Sequence, residues 1–183
     1  MNILLFSGSL RTGSYNKKLI GVAAAIFSEN SQLKTTVVDL QKLSLPVYDG
    51  DIEAKGMPEG VTELGKLIMA ADAIVISSPE YNGSMAGSLK NTIDWVSRLK
   101  PVPWEKKPIL LMGASPGYFG AIRGLGFTRA PFDALGSFLY PQSFALPKAG
   151  EAFTAEGHLV DEGTKKKLSL LLESFHGFAK KLI

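Results

Sequence analysis

The sequence predicts an α/β fold in which a doubly wound, five-stranded parallel sheet of order 2-1-3-4-5 carries helices on both faces. Three observations point there: short unbroken apolar runs alternate with amphipathic segments, one such run opens the chain, and polar glycine-rich turns follow three of the runs. Unbroken apolar runs mark strands buried on both faces, and consecutive parallel strands need a right-handed crossover helix between them.

Ile3 to Phe6 is the first such run, ended by Ser-Gly-Ser. From Tyr15 to Ser28, Leu19, Ile20, Ala23, Ile26 and Phe27 recur at helical spacing behind the capping candidates Ser14 and Asn16. Thr35 to Val38 supplies a second strand, and the Pro-, Gly- and Asp-rich stretch from Asp39 to Gly60 predicts a long loop. An amphipathic segment over Val61 to Ala70, an apolar run over Ala73 to Ile76, a helix over Ser88 to Arg98 and an apolar run over Ile109 to Met112 continue the alternation. Beyond Gly113, the residues Gly124, Gly126 and Pro131 are expected to interrupt the next helix. A fifth strand is expected near Ser143 to Leu146, and a last helix places Leu168, Leu171, Leu172, Phe175 and Leu182 on an inward stripe. With no repeat and no linker, residues 1–183 are expected to form one domain.

Hydrophobic residues make up 45% and charged residues 20%, the balance of a chain that folds around a core. The net charge of +3 is spread along the chain, and the run Lys165 to Lys167 fits the solvated face of a helix, so nucleic-acid binding is not expected. The absence of cysteine excludes disulfides, zinc-thiolate sites and thiol nucleophiles and fits a reducing compartment. Met1-Asn-Ile-Leu-Leu-Phe lacks the basic start of a signal peptide, and no apolar run reaches the ~20 residues of a membrane span, so a cytoplasmic location without membrane insertion is expected. Neither His158 nor His176 lies near the glycine-rich turns, and no His or carboxylate cluster has metal spacing, which leaves hydrolysis and metal chemistry unsupported. Trp95, Trp104, Phe175 and Phe178 are expected as core or interface aromatics.

In the predicted strand order, the turns after the first, third and fourth strands converge at the topological switch point, where ligands of such sheets bind. The first turn, Gly8-Ser9-Leu10-Arg11-Thr12-Gly13-Ser14-Tyr15-Asn16, runs into a helix. Taken singly these are ordinary turn and capping residues. Together they combine permissive glycines, hydroxyls, the positive end of a helix and one guanidinium fork, which suits a phosphate. Gly8 and Gly13 have the spacing of a nucleoside-triphosphate loop, but Ser14 stands where that loop needs Lys, and the G-x-G-x-x-G dinucleotide pattern is missing. The turn after the third strand, with Pro79, Glu80, Tyr81, Asn82 and Gly83, can display backbone groups to the edge of a flat heterocycle, with Glu80 and Tyr81 placed for a ring or a second substrate. The turn after the fourth, from Gly113 to Gly120, has small residues that admit a ligand and two aromatics, Tyr118 and Phe119, that could cover it.

GSLRTGSYN over Gly8 to Asn16 and SPEYNGSMAGSLKNTIDWVSR over Ser78 to Arg98, in that order, resemble the NAD(P)H-dependent FMN reductase family of flavodoxin-like proteins, which includes bacterial quinone, chromate and azo-dye reductases. The resemblance covers most of the chain. It implies non-covalent FMN, with Ser9, Arg11, Ser14, Tyr15 and Asn16 at its phosphate and ribityl chain. Pro79, Glu80, Tyr81, Asn82 and Gly83 would border the isoalloxazine, with Ser115 and Gly117 on its other side. It further implies NAD(P)H as co-substrate, a ping-pong transfer through the flavin to small-molecule acceptors, a homodimer or homotetramer, and Arg98 near a partner subunit. Met85-Ala86 stands where relatives often carry Pro before Gly87, which would loosen the flavin loop. The breaks at Gly124, Gly126 and Pro131 would disturb the dimer-forming helices and the acceptor pocket. Two other readings stay open at this level: a flavodoxin-like electron carrier without intrinsic NAD(P)H activity, and a flavin-free phosphoester-binding module.

Overall fold

The computed structural model describes residues Met1 to Ile183. In chain order the elements are β1 (Asn2–Ser7), α1 (Tyr15–Ser28), β2 (Lys34–Val38), α2 (Gly50–Lys55), α3 (Glu59–Ala70), β3 (Ala73–Ser77), β4 (Glu80–Tyr81), β5 (Ser84–Met85), α4 (Gly87–Ser97), β6 (Pro108–Ala114), α5 (Ile122–Ala134), β7 (Phe138–Leu139), β8 (Phe144–Leu146) and α6 (Glu162–Ala179). The main sheet is parallel in the order β2-β1-β3-β6-β7, with β8 also paired to β6. Registers such as Ile3 opposite Ala73 and Ile74 opposite Ile109 bring the C-terminal ends of β1, β3 and β6 to one edge.

Successive side chains of a strand point to opposite faces, and the unbroken apolar runs therefore feed two cores. Ile3, Leu5, Val75, Leu110 and Met112 pack with Leu19, Ala23, Leu168, Leu172 and Phe175 of α1 and α6. Leu4, Phe6, Ile74, Ile76 and Leu111 pack with Val61, Leu64, Ile68, Leu89, Ile93 and Leu125 of α3, α4 and α5. Burying each such side chain contributes about 1.5–3 kcal/mol, so the three central strands are the firmest part of the molecule and carry the three turns at their ends.

Four expectations change. First, α5 is continuous through Gly124, Gly126 and Pro131. Pro131 has no N–H to give Phe127 O four residues back, but the helix continues past it to Ala134 and the Pro131 carbonyl accepts from Leu135 N–H at 3.2 Å. Gly124 is a packing residue, because a Cβ there would stand 2.9 Å from Ser84 O and 3.0 Å from Glu80 Cβ. Second, the fifth strand position is shared by two short pieces, β7 beside Pro108 and Ile109, and β8 beside Met112 to Ala114. Pro141, without an N–H, falls between them, where the ladder lapses. Third, the Asp39 to Gly60 stretch contains α2, capped by Asp49, and the first residues of α3. Fourth, Leu182 lies past the end of α6 and is 40% exposed, so the inward stripe ends at Phe175 and Ala179.

Trp95, Trp104 and Phe175 are buried core residues, and Phe178 packs beside Tyr140 and Phe175. Arg98 pairs with Glu53 at 3.0 Å, and Glu53 also accepts from the Tyr48 hydroxyl at 2.8 Å, which fastens the long loop to α4. Those two hydrogen bonds hold the Glu53 carboxyl below its ordinary range. No helix is long and apolar enough to cross a membrane.

Candidate functional site

The three turns enclose a cleft of about 420 Å³ lined by Ser9, Arg11, Ser14, Tyr15, Asn16, Pro79, Glu80, Tyr81, Ala114, Ser115 and Pro116. Its floor is the junction between β1 and α1. Ser14 is the N-cap of α1: its Oγ accepts from Asn16 N–H at 3.2 Å and Lys17 N–H at 3.4 Å. With both lone pairs engaged, the Ser14 hydroxyl proton is left to donate outward. Ser9 is 3% exposed and its hydroxyl bonds no other protein group. The N–H groups of Leu10, Arg11, Thr12 and Gly13 also find no protein acceptor, and α1 has no acid in its first turn. Arg11 has no carboxylate partner, and its guanidinium lies 5.6 Å over the Tyr15 ring, which in turn stacks on Phe153. Free donors, a helix N-terminus and an unpaired cation make this end of the cleft receptive to an anion.

Asn16 does something different from its neighbours. Its Oδ1 accepts from Ser77 Oγ at 2.8 Å and Ala114 N–H at 2.9 Å, while Nδ2 donates to Ala114 O at 2.9 Å. One 3%-exposed side chain thus ties the start of α1 to the ends of β3 and β6. Gly8 joins the same knot: its N–H donates to Ser77 O at 2.9 Å and its carbonyl accepts from Ser88 Oγ. A Cβ at Gly8 would stand 2.9 Å from Leu89 Cβ, which is why the turn can press against α4.

The second turn is a hairpin. β4 and β5 pair antiparallel across Asn82 and Gly83, whose φ values of 52° and 77° are those of a tight hairpin turn with both central residues left-handed. Asn-Gly is the dipeptide that best tolerates this geometry. Met85 sits in β5 opposite Glu80, and Ala86 is buried at the start of α4, so a defined hairpin stands where the missing proline suggested a loosened loop. Asn82 and Gly83 form its tip, outside the cleft lining. The side chain of Glu80 is 7% exposed and turns toward α5, where Oε1 accepts from Arg123 Nε at 2.8 Å and Oε2 accepts from Gly124 N–H at 3.0 Å. Burial raises the Glu80 carboxyl pKa, but the Gly124 and Arg123 hydrogen bonds outweigh it and hold the group below the usual glutamate range.

The third turn is fixed by Ser115, whose N–H donates to Leu146 O at 3.1 Å and whose Oγ accepts from Gly117 N–H at 3.1 Å. Gly117 itself lies just beyond the lining. Of the residues singled out in the sequence, Ser9, Arg11, Ser14, Tyr15, Asn16, Pro79, Glu80, Tyr81 and Ser115 meet in one cleft. Sequence reasoning included Ala114 and Pro116 in the third turn without naming them as site residues, and it missed Arg123, one of two arginines in α5.

A family model for NADPH-dependent FMN reductase matches residues 1–151. An NAD(P)H-dependent FMN reductase of Pseudomonas aeruginosa is 33% identical over 183 residues, covering 100% of this chain and 97% of that protein. A quinone reductase of Escherichia coli is 31% identical over 186 residues, covering 100% of this chain and 97% of that protein. Among solved structures, a flavoenzyme NAD(P)H:(acceptor) oxidoreductase of Paracoccus denitrificans superposes with a TM-score of 0.85 at 30% identity, covering 98% of this chain and 97% of that one. Switch-point cleft, family match and near end-to-end relatives agree: the chain belongs to the NADPH-dependent FMN reductase family of flavodoxin-like oxidoreductases.

Proposed function

We propose that this chain is an NAD(P)H-dependent FMN oxidoreductase that reduces small acceptors such as quinones, with residues 1–183 acting as one flavodoxin-like domain. The carrying observation is the anion-receptive end of the cleft: four N–H groups from Leu10 to Gly13 without protein acceptors, beside an unpaired Arg11. These residues fit the phosphate of FMN, and the only acid in the lining, Glu80, is already engaged by Arg123 and Gly124. Arg11 would neutralise the phosphate as a bidentate donor, while Ser9 and Ser14 would donate their hydroxyl protons. Tyr15 would border the ribityl chain, and Asn16 would hold the floor in shape while offering its one remaining N–H. Pro79, Glu80 and Tyr81 would present the wall for the ring, with Asn82 and Gly83 setting the turn behind it, and Ser115 and Gly117 would close the opposite side. When bound, FMN supplies the redox chemistry, accepting hydride from the nicotinamide and passing electrons to the acceptor, so no protein acid or base is needed. A Cys-free chain suits the reducing cytoplasm, and a homodimer or homotetramer is the expected assembly.

The test is the visible spectrum of purified protein reconstituted with FMN, recorded anaerobically before and after NADPH. Bleaching of the flavin bands is expected; a protein left colourless once excess FMN is removed by desalting, or one that stays yellow with both NADPH and NADH, overturns the reading. Arg11→Ala should weaken FMN retention in equilibrium dialysis by about tenfold or more, as expected for losing a charge-assisted pair. Retention equal to the parent would remove Arg11 from the phosphate site.

A further inference from the structure

One carboxylate joins the hairpin at the cleft wall to the helix behind it. The N-cap of α5 is Ala121, a left-handed residue with φ 74° and no capping side chain, and the helix carries no acid in its first turn. Helix N-termini leave N–H groups that a Ser, Asp or Asn normally satisfies. Here the acceptor comes from another element: Glu80 Oε2 takes Gly124 N–H at 3.0 Å, and Oε1 takes Arg123. Gly124 has no Cβ to hold the pieces apart, and the Arg123 guanidinium rests 5.3 Å over Phe119, which extends the contact to the turn after β6. Toward the tip the hairpin has no such tie, and Tyr81 is 54% exposed.

We propose that Glu80 is a positioning residue for the cofactor: its carboxylate latches the β4–β5 hairpin to the N-terminus of α5, and this latch, with no direct bond from the carboxylate to the flavin, fixes the wall against which the ring lies. The proposal rests on the FMN reading above and adds a role that belongs to the side chain of Glu80 alone.

Three variants test it with two measurements, FMN affinity by quenching of flavin fluorescence and amide exchange of Glu80 to Met85 in FMN-free protein. Glu80→Ala should raise the FMN Kd about tenfold and speed exchange across the hairpin, as expected for losing a charge-assisted bond. Glu80→Gln keeps one carbonyl acceptor and should fall between. Its Kd, relative to wild type, should approach one only as the pH falls through the lowered Glu80 pKa, below the ordinary glutamate value of 4.5, where wild-type Glu80 itself becomes neutral. Arg123 is the only charged group acting on Glu80, so no other titration is expected in that ratio. Gly124→Ala prises the same seam apart by sterics and should lower FMN affinity and hairpin protection at neutral pH. Unchanged hairpin exchange in Glu80→Gln and Gly124→Ala would refute the latch. Loosened hairpins with wild-type FMN affinity would refute the positioning role. Wild-type protein that binds no FMN would overturn the functional reading instead, and the exchange measurement would still decide the latch.

Discussion

Replacing Asn16 by Ala removes three hydrogen bonds at 2.8–2.9 Å from a residue that is 3% exposed. The cost comes mainly from what is left behind. Ala114 is itself 3% exposed, and its N–H and carbonyl would both lose their side-chain partner where water has poor access. A stranded buried polar group costs about 1–3 kcal/mol, so the pair predicts a loss of about 3 kcal/mol. For a chain of this size that corresponds to a fall in Tm of about 6–12 °C. Urea unfolding of FMN-free protein provides the assay, with the fully buried Trp95 and Trp104 as fluorescence probes. Asn16→Asp is the sharper companion variant: it keeps the acceptor for Ser77 Oγ and Ala114 N–H but sets a carboxylate oxygen against Ala114 O, and should be at least as unstable. If Asn16→Ala stayed within about 0.5 kcal/mol of wild type, the strap would be energetically idle and the reasoning wrong.

Other outcomes follow from the same geometry. Gly120→Ala should lose more than about 2 kcal/mol in the same urea titration, because φ is 58° and its Cβ would stand 2.6 Å from Pro147 N. Pro131→Ala should gain about 1 kcal/mol, since a backbone N–H returns to the last turn of α5; a loss would show that the ring is needed for packing. Acid unfolding should depend on Glu80 with a definite sign. Its folded pKa lies below the model-compound value of 4.5, so its contribution is present above that pH and disappears as the pH falls through the lowered value. Glu80→Gln should therefore flatten the acid limb of the stability curve, and an unaltered limb would count against the assignment.

Strand and helix order were legible because the chain states them redundantly. Ile3 to Phe6, Ala73 to Ile76 and Ile109 to Met112 are apolar at every position, which only a doubly covered strand allows. The bounds of α1 followed from Ser14, a capping residue directly before the apolar repeat. Misreadings clustered where tertiary contacts override local preference. Gly124 reads as a helix breaker until Glu80 and Ser84 are seen to need the space its missing Cβ leaves. The Asp49-capped helix inside the long loop covers six residues and carries no buried residue, so it leaves no apolar period to find. At the site, residue types identified the place but not the division of labour. Asn16 and Glu80 belong to the motifs around the cleft, yet their side chains spend their hydrogen bonds on protein partners that lie 98 and 44 residues away in sequence. No single-sequence pattern carries such separations.

The unshielded start of α1 has a practical corollary for anyone purifying this enzyme. Its appeal to anions comes largely from main-chain dipoles and N–H groups, which do not discriminate between an esterified phosphate and a free one. Sulfate or inorganic phosphate in a lysis or storage buffer should therefore compete for the same berth, and preparations made in such salts should come off the column paler than those made in a zwitterionic buffer.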